Sequence, residues 1–254
     1  MSTTSPRVAL FATCLVDSLR PSIGFSALDL LEQAGCTVEI PHAQTCCGQP
    51  ALNSGDHKSA VALAQHNITL LEAFDAVIIP SGSCAGTMRT HYPALFEPNS
   101  PWHRRATALA GKTHELLSYL HDIRHWSPAR VTLETTATYH DSCAGLRELG
   151  IKTQPRALLA NISGLTLTEM AESETCCGFG GTFCVKYPAI STAIVAEKSA
   201  NIAATNAALL LGGDLGCLMN MAGHLHRQGH PVRAFHTAEI LAGHGNGPAI
   251  GEDP

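Results

Sequence analysis

Thr45-Cys46-Cys47-Gly48-Gln49 in the first half of the chain is answered by Thr175-Cys176-Cys177-Gly178-Phe179 in the second. Each cysteine pair has the same setting. In the first half Cys14 precedes the pair by 31 intervening residues and Cys84 follows it by 36; in the second, Cys143 precedes by 32 and Cys217 follows by 39. Eight of the ten cysteines obey this template, and only Cys36 and Cys184 fall outside it. Repetition of order and spacing implies an internal duplication, with a first cysteine-rich domain over residues 1–126 and a second over residues 127–254. The segment Ser127 to Arg130 is the expected boundary.

The sequence around each cysteine reads as strand, then cysteine, then helix. Val8 to Ala12 is a short apolar run expected to be a strand, with Cys14 just beyond it. A helix is expected from a Ser22 cap through Phe25, Leu28, Leu31 and Ala34 to a stop at Gly35. Cys36 to Ile40 reads as a second strand, and a loop then delivers Cys46 and Cys47. Gly55 to Phe74 is helical with Val61, Ala64, Ile68 and Leu71 on one face; Ala76 to Ile79 is a third strand leading to Cys84.

Thr87 to Trp126 reads as one or two helices broken near Pro98 to Pro101. Its five histidines have no metal-binding spacing and are assigned to packing or solvent. The second half repeats the plan. It has strands over Val131 to Tyr139, Leu165 to Met170 and Ala207 to Leu211, and helices over Pro155 to Ile162 and Ile190 to Ala208. A further helix covers His224 to Gly229, then a strand Val232 to Phe235, a helical turn Thr237 to Leu241 and a disordered tail from Gly243. The fold class that follows is α/β: two similar Rossmann-like halves, each a small parallel sheet with flanking helices. In such sheets ligands lie beyond the carboxyl ends of the strands, where cysteines far apart in sequence can meet.

Composition limits what the thiols do. The chain has 254 residues, 45% hydrophobic and 15% charged, with a net charge of -5 and no basic run, which argues against nucleic acid as a partner. No stretch reaches the roughly 18 apolar residues of a membrane span. The apolar run near the start is shorter than a secretory core of about 7–15 residues, so a cytoplasmic location is expected. Ten cysteines in a reducing compartment call for chemistry other than disulfides. Zinc is disfavoured by the lack of short Cys-x2-4-Cys knuckles, and a dithiol relay by the lack of Cys-x-x-Cys. Four thiolates per half suit an iron–sulfur cluster, and glycines at Gly178, Gly180 and Gly181 allow positive φ and close backbone approach. That glycine loop lacks the G-x-G-x-x-G spacing of a dinucleotide site.

The doubled pattern C-x31-C-C-G-x35-C and C-x32-C-C-G-x38-C resembles the duplicated cysteine-rich CCG domain of heterodisulfide reductases and of the iron–sulfur subunits of glycolate and glycerol-3-phosphate oxidases. Pro80-Ser81-Gly82-Ser83-Cys84-Ala85-Gly86 and Cys176-Cys177-Gly178-Phe179-Gly180-Gly181-Thr182-Phe183 further resemble the lactate utilisation protein A branch. The resemblance implies an electron-transfer subunit of an L-lactate-oxidising complex, producing pyruvate and working beside a ferredoxin-like iron–sulfur subunit and a third, small subunit. Such a chain would not be active alone. It implies Cys14, Cys46, Cys47 and Cys84 as ligands of one cluster, and Cys143, Cys176, Cys177 and Cys217 as ligands of a second, of the [4Fe-4S] type.

One cluster with a purely structural second half, a thiol/disulfide redox subunit and a zinc-stabilised structural protein stay open as alternatives. Where the heterodisulfide reductase pattern ends in a further cysteine, this chain has Thr87 and Asn220, so the five-cysteine cluster does not carry over. His140 and Asp141 either tune the second centre or serve the strand end. Cys184 is assigned to packing rather than to ligation, and Cys36 to the core.

Overall fold

The computed structural model describes residues 5–128 and 131–252. By contact the chain divides into two compact units, Met1–Trp126 and Ser127–Pro254. Of the expected linker, Ala129 and Arg130 lie outside the described residues.

In the first unit β1 (Arg7–Leu10) leads into α1 (Cys14–Leu19) and α2 (Pro21–Gln33), then β2 (Thr37–Glu39). Next come α3 (Gln49–Asn53), α4 (His57–Leu71) and β3 (Ala76–Ile79). α5 (Gly82–Gly86) runs through a π-turn at Thr87–His91 into α6 (Tyr92–Ala94), followed by α7 (Pro101–Ala110), β4 (Thr113–Glu115), α8 (Leu116–Ser118) and a second π-turn at Tyr119–Ile123. The strands form one parallel sheet in the order β2-β1-β3-β4, with Val8 opposite both Val38 and Ala76. The chain leaves β1 on one side and returns on the other, so the end of β1 and the end of β3 flank the switch point where such sheets open a crevice.

The second unit repeats the order as β6-β5-β7-β8. β5 (Thr132–His140) is followed by α9 (Cys143–Leu149), α10 (Thr153–Leu159) and β6 (Ser163–Leu167). After it come α11 (Phe183–Lys186), α12 (Pro188–Ala204), β7 (Leu209–Gly212), α13 (Leu215–Arg227), β8 (Arg233–His236) and α14 (Thr237–Leu241). Every strand pairing is parallel. Both sheets carry flanking helices, as expected of an α/β duplication. No helix among the described residues is long and apolar enough to cross a membrane.

Burial explains where elements begin and which face they present. All four residues of β3 are buried, the signature of a central parallel strand. α2 starts at Pro21 behind Arg20 rather than at a Ser22 cap, because α1 already occupies Cys14–Leu19 and proline favours the first helical position. Its core face is Ile23, Ala27, Leu30 and Leu31, and the expected anchor Phe25 is 68% exposed. Gly35, at φ 77°, ends this helix as expected.

Three further expectations are corrected. β4 lies inside a stretch read as helix. The helix expected from His224 begins nine residues earlier, at Leu215. The tail is not disordered over its described part: the Ile250 N–H donates to the Ala234 carbonyl at 2.9 Å, Arg233 pairs with Glu252 at 2.8 Å, and Ala249 is buried.

Candidate metal centre

Each thiol of the repeat follows the carboxyl end of a strand. Cys14 is the first residue of α1, and the Thr13 hydroxyl caps that helix by accepting from the Val16 N–H. Cys84 lies in the first turn of α5, its N–H donating to the Ser81 hydroxyl at 3.3 Å. Cys46 and Cys47 arrive from the loop after β2. The structure brings the four together: the Cys14 and Cys46 sulfurs are 3.9 Å apart, and those of Cys47 and Cys84 3.3 Å. The Gly48 N–H donates to the Cys46 sulfur at 3.4 Å, which its φ of 88° permits.

The second unit builds the same arrangement. Cys143 opens α9 behind a Ser142 cap, and Cys217 lies in the first turn of α13. Cys143 adjoins Cys176, and Cys177 adjoins both Cys176 and Cys217. The Gly178 N–H donates to the Cys176 sulfur at 3.3 Å. Exposure matches position by position: Cys14 and Cys143 are exposed, Cys46 and Cys176 half-buried, and the remaining four buried.

Charge is distributed unevenly within each group. Hydrogen bonds from Cys14 and then Cys47 hold the Cys46 thiol far below the ordinary thiol range, at about 2. Cys143 and then Cys177 do the same for Cys176. The donors shift in the other direction, with Cys14 and Cys143 raised first by those same bonds and then by burial. Within each group the negative charge is therefore favoured at the first cysteine of the pair.

Polar side chains fix the pairs from behind, and of these sequence reasoning singled out Asn220 alone, as a departure from the reductase pattern. Asn67 of α4 donates to the Cys46 carbonyl and to the Tyr92 hydroxyl, both at 3.0 Å, and the Tyr92 hydroxyl donates to the Cys47 carbonyl at 2.8 Å. In the second unit Asn220 donates to the Cys177 carbonyl at 2.8 Å. Lys198 of α12, almost fully buried, donates to the Glu172 and Ser173 carbonyls at 2.7 Å each, and burial lowers it to about 8. The available signal was a polar residue on a buried helix face: Asn67 stands alone among Ala64, Ile68 and Leu71, whereas Lys198 shares its face with Ser191 and Ser199 as well as Val195 and Ile202.

The residues next to the centre divide. Asp141 is buried and takes a two-pronged contact from Arg156, at 2.8 and 2.9 Å, while Arg156 also grips Glu169 at 2.6 and 2.8 Å. His140 is 1% exposed with neither ring nitrogen hydrogen-bonded among the described residues, and burial, with Lys198 second, pushes it down to about 3. Its ring nitrogen and the Cys177 and Cys217 sulfurs lie within 4.8 Å of one another. Cys184 is half-buried with its thiol on the Gly181 carbonyl at 3.4 Å, and Cys36 is buried against the Tyr119 hydroxyl at 3.9 Å.

Four soft sulfur donors converging at each switch point, with a thiolate already favoured at one of them, fit a thiophilic metal group such as iron–sulfur or zinc. In the first unit a cleft of about 300 Å³ opens beside the group, lined in part by Cys14, Asp17, His42 and Cys46.

Two parallel α/β units, each gathering four cysteines at its switch point, define a duplicated cysteine-rich protein. The profile of the CCG cysteine-rich domain matches residues 8–89 and again residues 137–222. The lactate utilization protein A of an Exiguobacterium species is 47% identical over 238 residues, covering 93% of this chain and 97% of that protein. The protein of the same name from Geobacillus sp. WCH70 is 46% identical over 235 residues, covering 92% of this chain and 98% of its own length. The chain belongs to the CCG cysteine-rich domain family, on the branch of these lactate utilization proteins. Among solved structures, a hypothetical protein from Helicobacter pylori superposes with a TM-score of 0.64 at 13% identity, over all of this chain and 52% of that one, a likeness of fold.

Proposed function

We propose that the chain is an iron–sulfur electron-transfer subunit of a system that oxidises L-lactate to pyruvate. Cys14, Cys46, Cys47 and Cys84 would hold one cluster, and Cys143, Cys176, Cys177 and Cys217 a second. The observation that carries this reading is the convergence of eight thiols into two groups with one exposure pattern: exposed, half-buried, buried, buried. The names of the relatives support the lactate assignment.

An iron–sulfur cluster, when bound, accepts and releases single electrons. Oxidising lactate to pyruvate releases two electrons and two protons, and two one-electron centres match that count. The rest is work for the chain's own residues. Cys46 and Cys176 supply ready thiolates, and the Gly48 and Gly178 N–H groups donate to those sulfurs. Asn67, Tyr92 and Asn220 hold the backbone of the pairs in place. The exposed edges at Cys14 and Cys143 are where redox partners would approach, a ferredoxin-like iron–sulfur subunit and a third small subunit among them.

The test is anaerobic purification followed by counting of iron and acid-labile sulfide, with EPR of the reduced chain. Iron and sulfide in equal amounts, with visible thiolate-to-iron absorption, are expected. Stoichiometric zinc without sulfide would overturn the reading in favour of a structural protein. A Cys46→Ser variant should lose one centre and keep the other; loss of both in a folded chain would mean that the two thiol groups share one site.

A further inference from the structure

The two units differ at one buried position beside the thiols. Three residues before Cys14 stands Phe11; three residues before Cys143 stands His140. Both side chains are buried, at 0% and 1% exposure. An apolar ring at this place needs nothing from its neighbours. An imidazole shut away from water with neither nitrogen bonded among the described residues is a penalty that folded proteins rarely tolerate without use. Its neighbours supply that use: one ring nitrogen of His140 and the sulfurs of Cys177 and Cys217 lie within 4.8 Å of one another, all three residues buried. Imidazole nitrogen and thiolate sulfur are joint ligands of iron and of zinc, each metal accepting the mixture.

We infer that His140 is a nitrogen ligand of the second unit's metal centre, binding beside Cys177 and Cys217, and that the first unit's centre is held by sulfur alone. The inference rests on the metal-centre reading above and deepens it. The second unit offers five donors, His140 with Cys143, Cys176, Cys177 and Cys217, and the first unit four. A duplicated protein of this kind has two chemically different centres, with the difference set by one residue on the end of a central strand.

The experiment uses the full chain, loaded anaerobically with ferrous iron and sulfide, reduced, and studied by pulsed EPR with and without ¹⁵N-histidine labelling. The expected result is a strong hyperfine coupling from a directly bonded nitrogen that changes on labelling. It should persist in Cys46→Ser, which removes the first centre, and vanish in His140→Phe, which copies the first unit. Two occupied centres in the wild-type chain without such a coupling would overturn the inference while leaving the proposed function standing, and this outcome does not depend on any variant folding. A coupling that survives in folded His140→Phe would overturn it equally. Absence of any bound metal from the wild-type chain sinks both.

Discussion

Arg156 neutralises two carboxylates at once, and only one of them can reach water. The Asp141 side chain is 1% exposed and that of Glu169 50%. Replacing Arg156 by Met strands a buried charge, and the expected loss is about 3–5 kcal/mol, read from denaturant unfolding of the metal-free chain. A loss below about 1 kcal/mol would show that Asp141 does not depend on this partner. Glu169 gives the pH dependence of the same cluster. The Arg156 guanidinium holds its carboxyl below the usual range, so its contribution is present above the ordinary carboxylate pKa and disappears as pH falls through the lowered value. Half-exposure limits that contribution to under about 1 kcal/mol. A Glu169→Gln variant should therefore be slightly less stable than the parent at neutral pH and equal to it in acid. Backbone geometry is as discriminating. Gly48 and Gly178 occupy matching places at φ 88° and 82°, but a Cβ on Gly178 would meet the Ser191 carbonyl at 2.7 Å, whereas the nearest atom at Gly48 is 3.5 Å away. Alanine at either position carries the left-handed penalty of about 1–3 kcal/mol. Gly178→Ala should cost more than Gly48→Ala, and equal losses in thermal unfolding would contradict the clash.

At the scale of elements, α4 and α12 are the same helix used twice. Their buried faces correspond position for position, Ala60, Ala64, Asn67, Ile68 and Leu71 against Ser191, Val195, Lys198, Ser199 and Ile202. Where one places a neutral amide, the other places an ammonium group. A buried cation near a centre favours its reduced, more negative form. Lys198→Asn should lower the midpoint potential of the second centre and leave the first unmoved; a redox titration in which neither wave shifts would rule this out. The elements also show what sequence can and cannot reveal. β3 was legible to the residue because Ala76, Val77, Ile78 and Ile79 are all buried and form one unbroken apolar run. β4 was not, since three residues centred on His114 carry no apolar alternation, and only pairing with β3 makes them a strand. The start of α13 was hidden because Leu215-Gly216-Cys217 reads as a loop. Its glycine is there for Phe179, whose ring leaves no room for a Cβ on Gly216.

At the scale of the whole chain, the doubled sequence template corresponds to a doubled sheet order, and the meeting of thiols within each unit follows from strands that end side by side. His140 was visible in the sequence as a neighbour of Cys143, but its lack of a hydrogen-bond partner among the described residues is a property of packing that no spacing encodes. The all-parallel sheets also bear on how the protein is made. Parallel strands cannot join through a short hairpin, so each pairing waits for a long crossover to close, and formation of such sheets is slow. The thiols of one group come from three such strand ends and are far apart until the sheet exists. On the proposed reading, metal would then enter a chain that has already found its shape. Refolding of the reduced chain should proceed at the same rate with and without ferrous iron, whereas an acceleration by iron would mean that thiols meet before strands do. If the proposed centres are filled in this way, the interval between a finished sheet and a filled site is a window in which eight unprotected thiols, two of them facing solvent, depend on whatever delivers the metal arriving before an oxidant does.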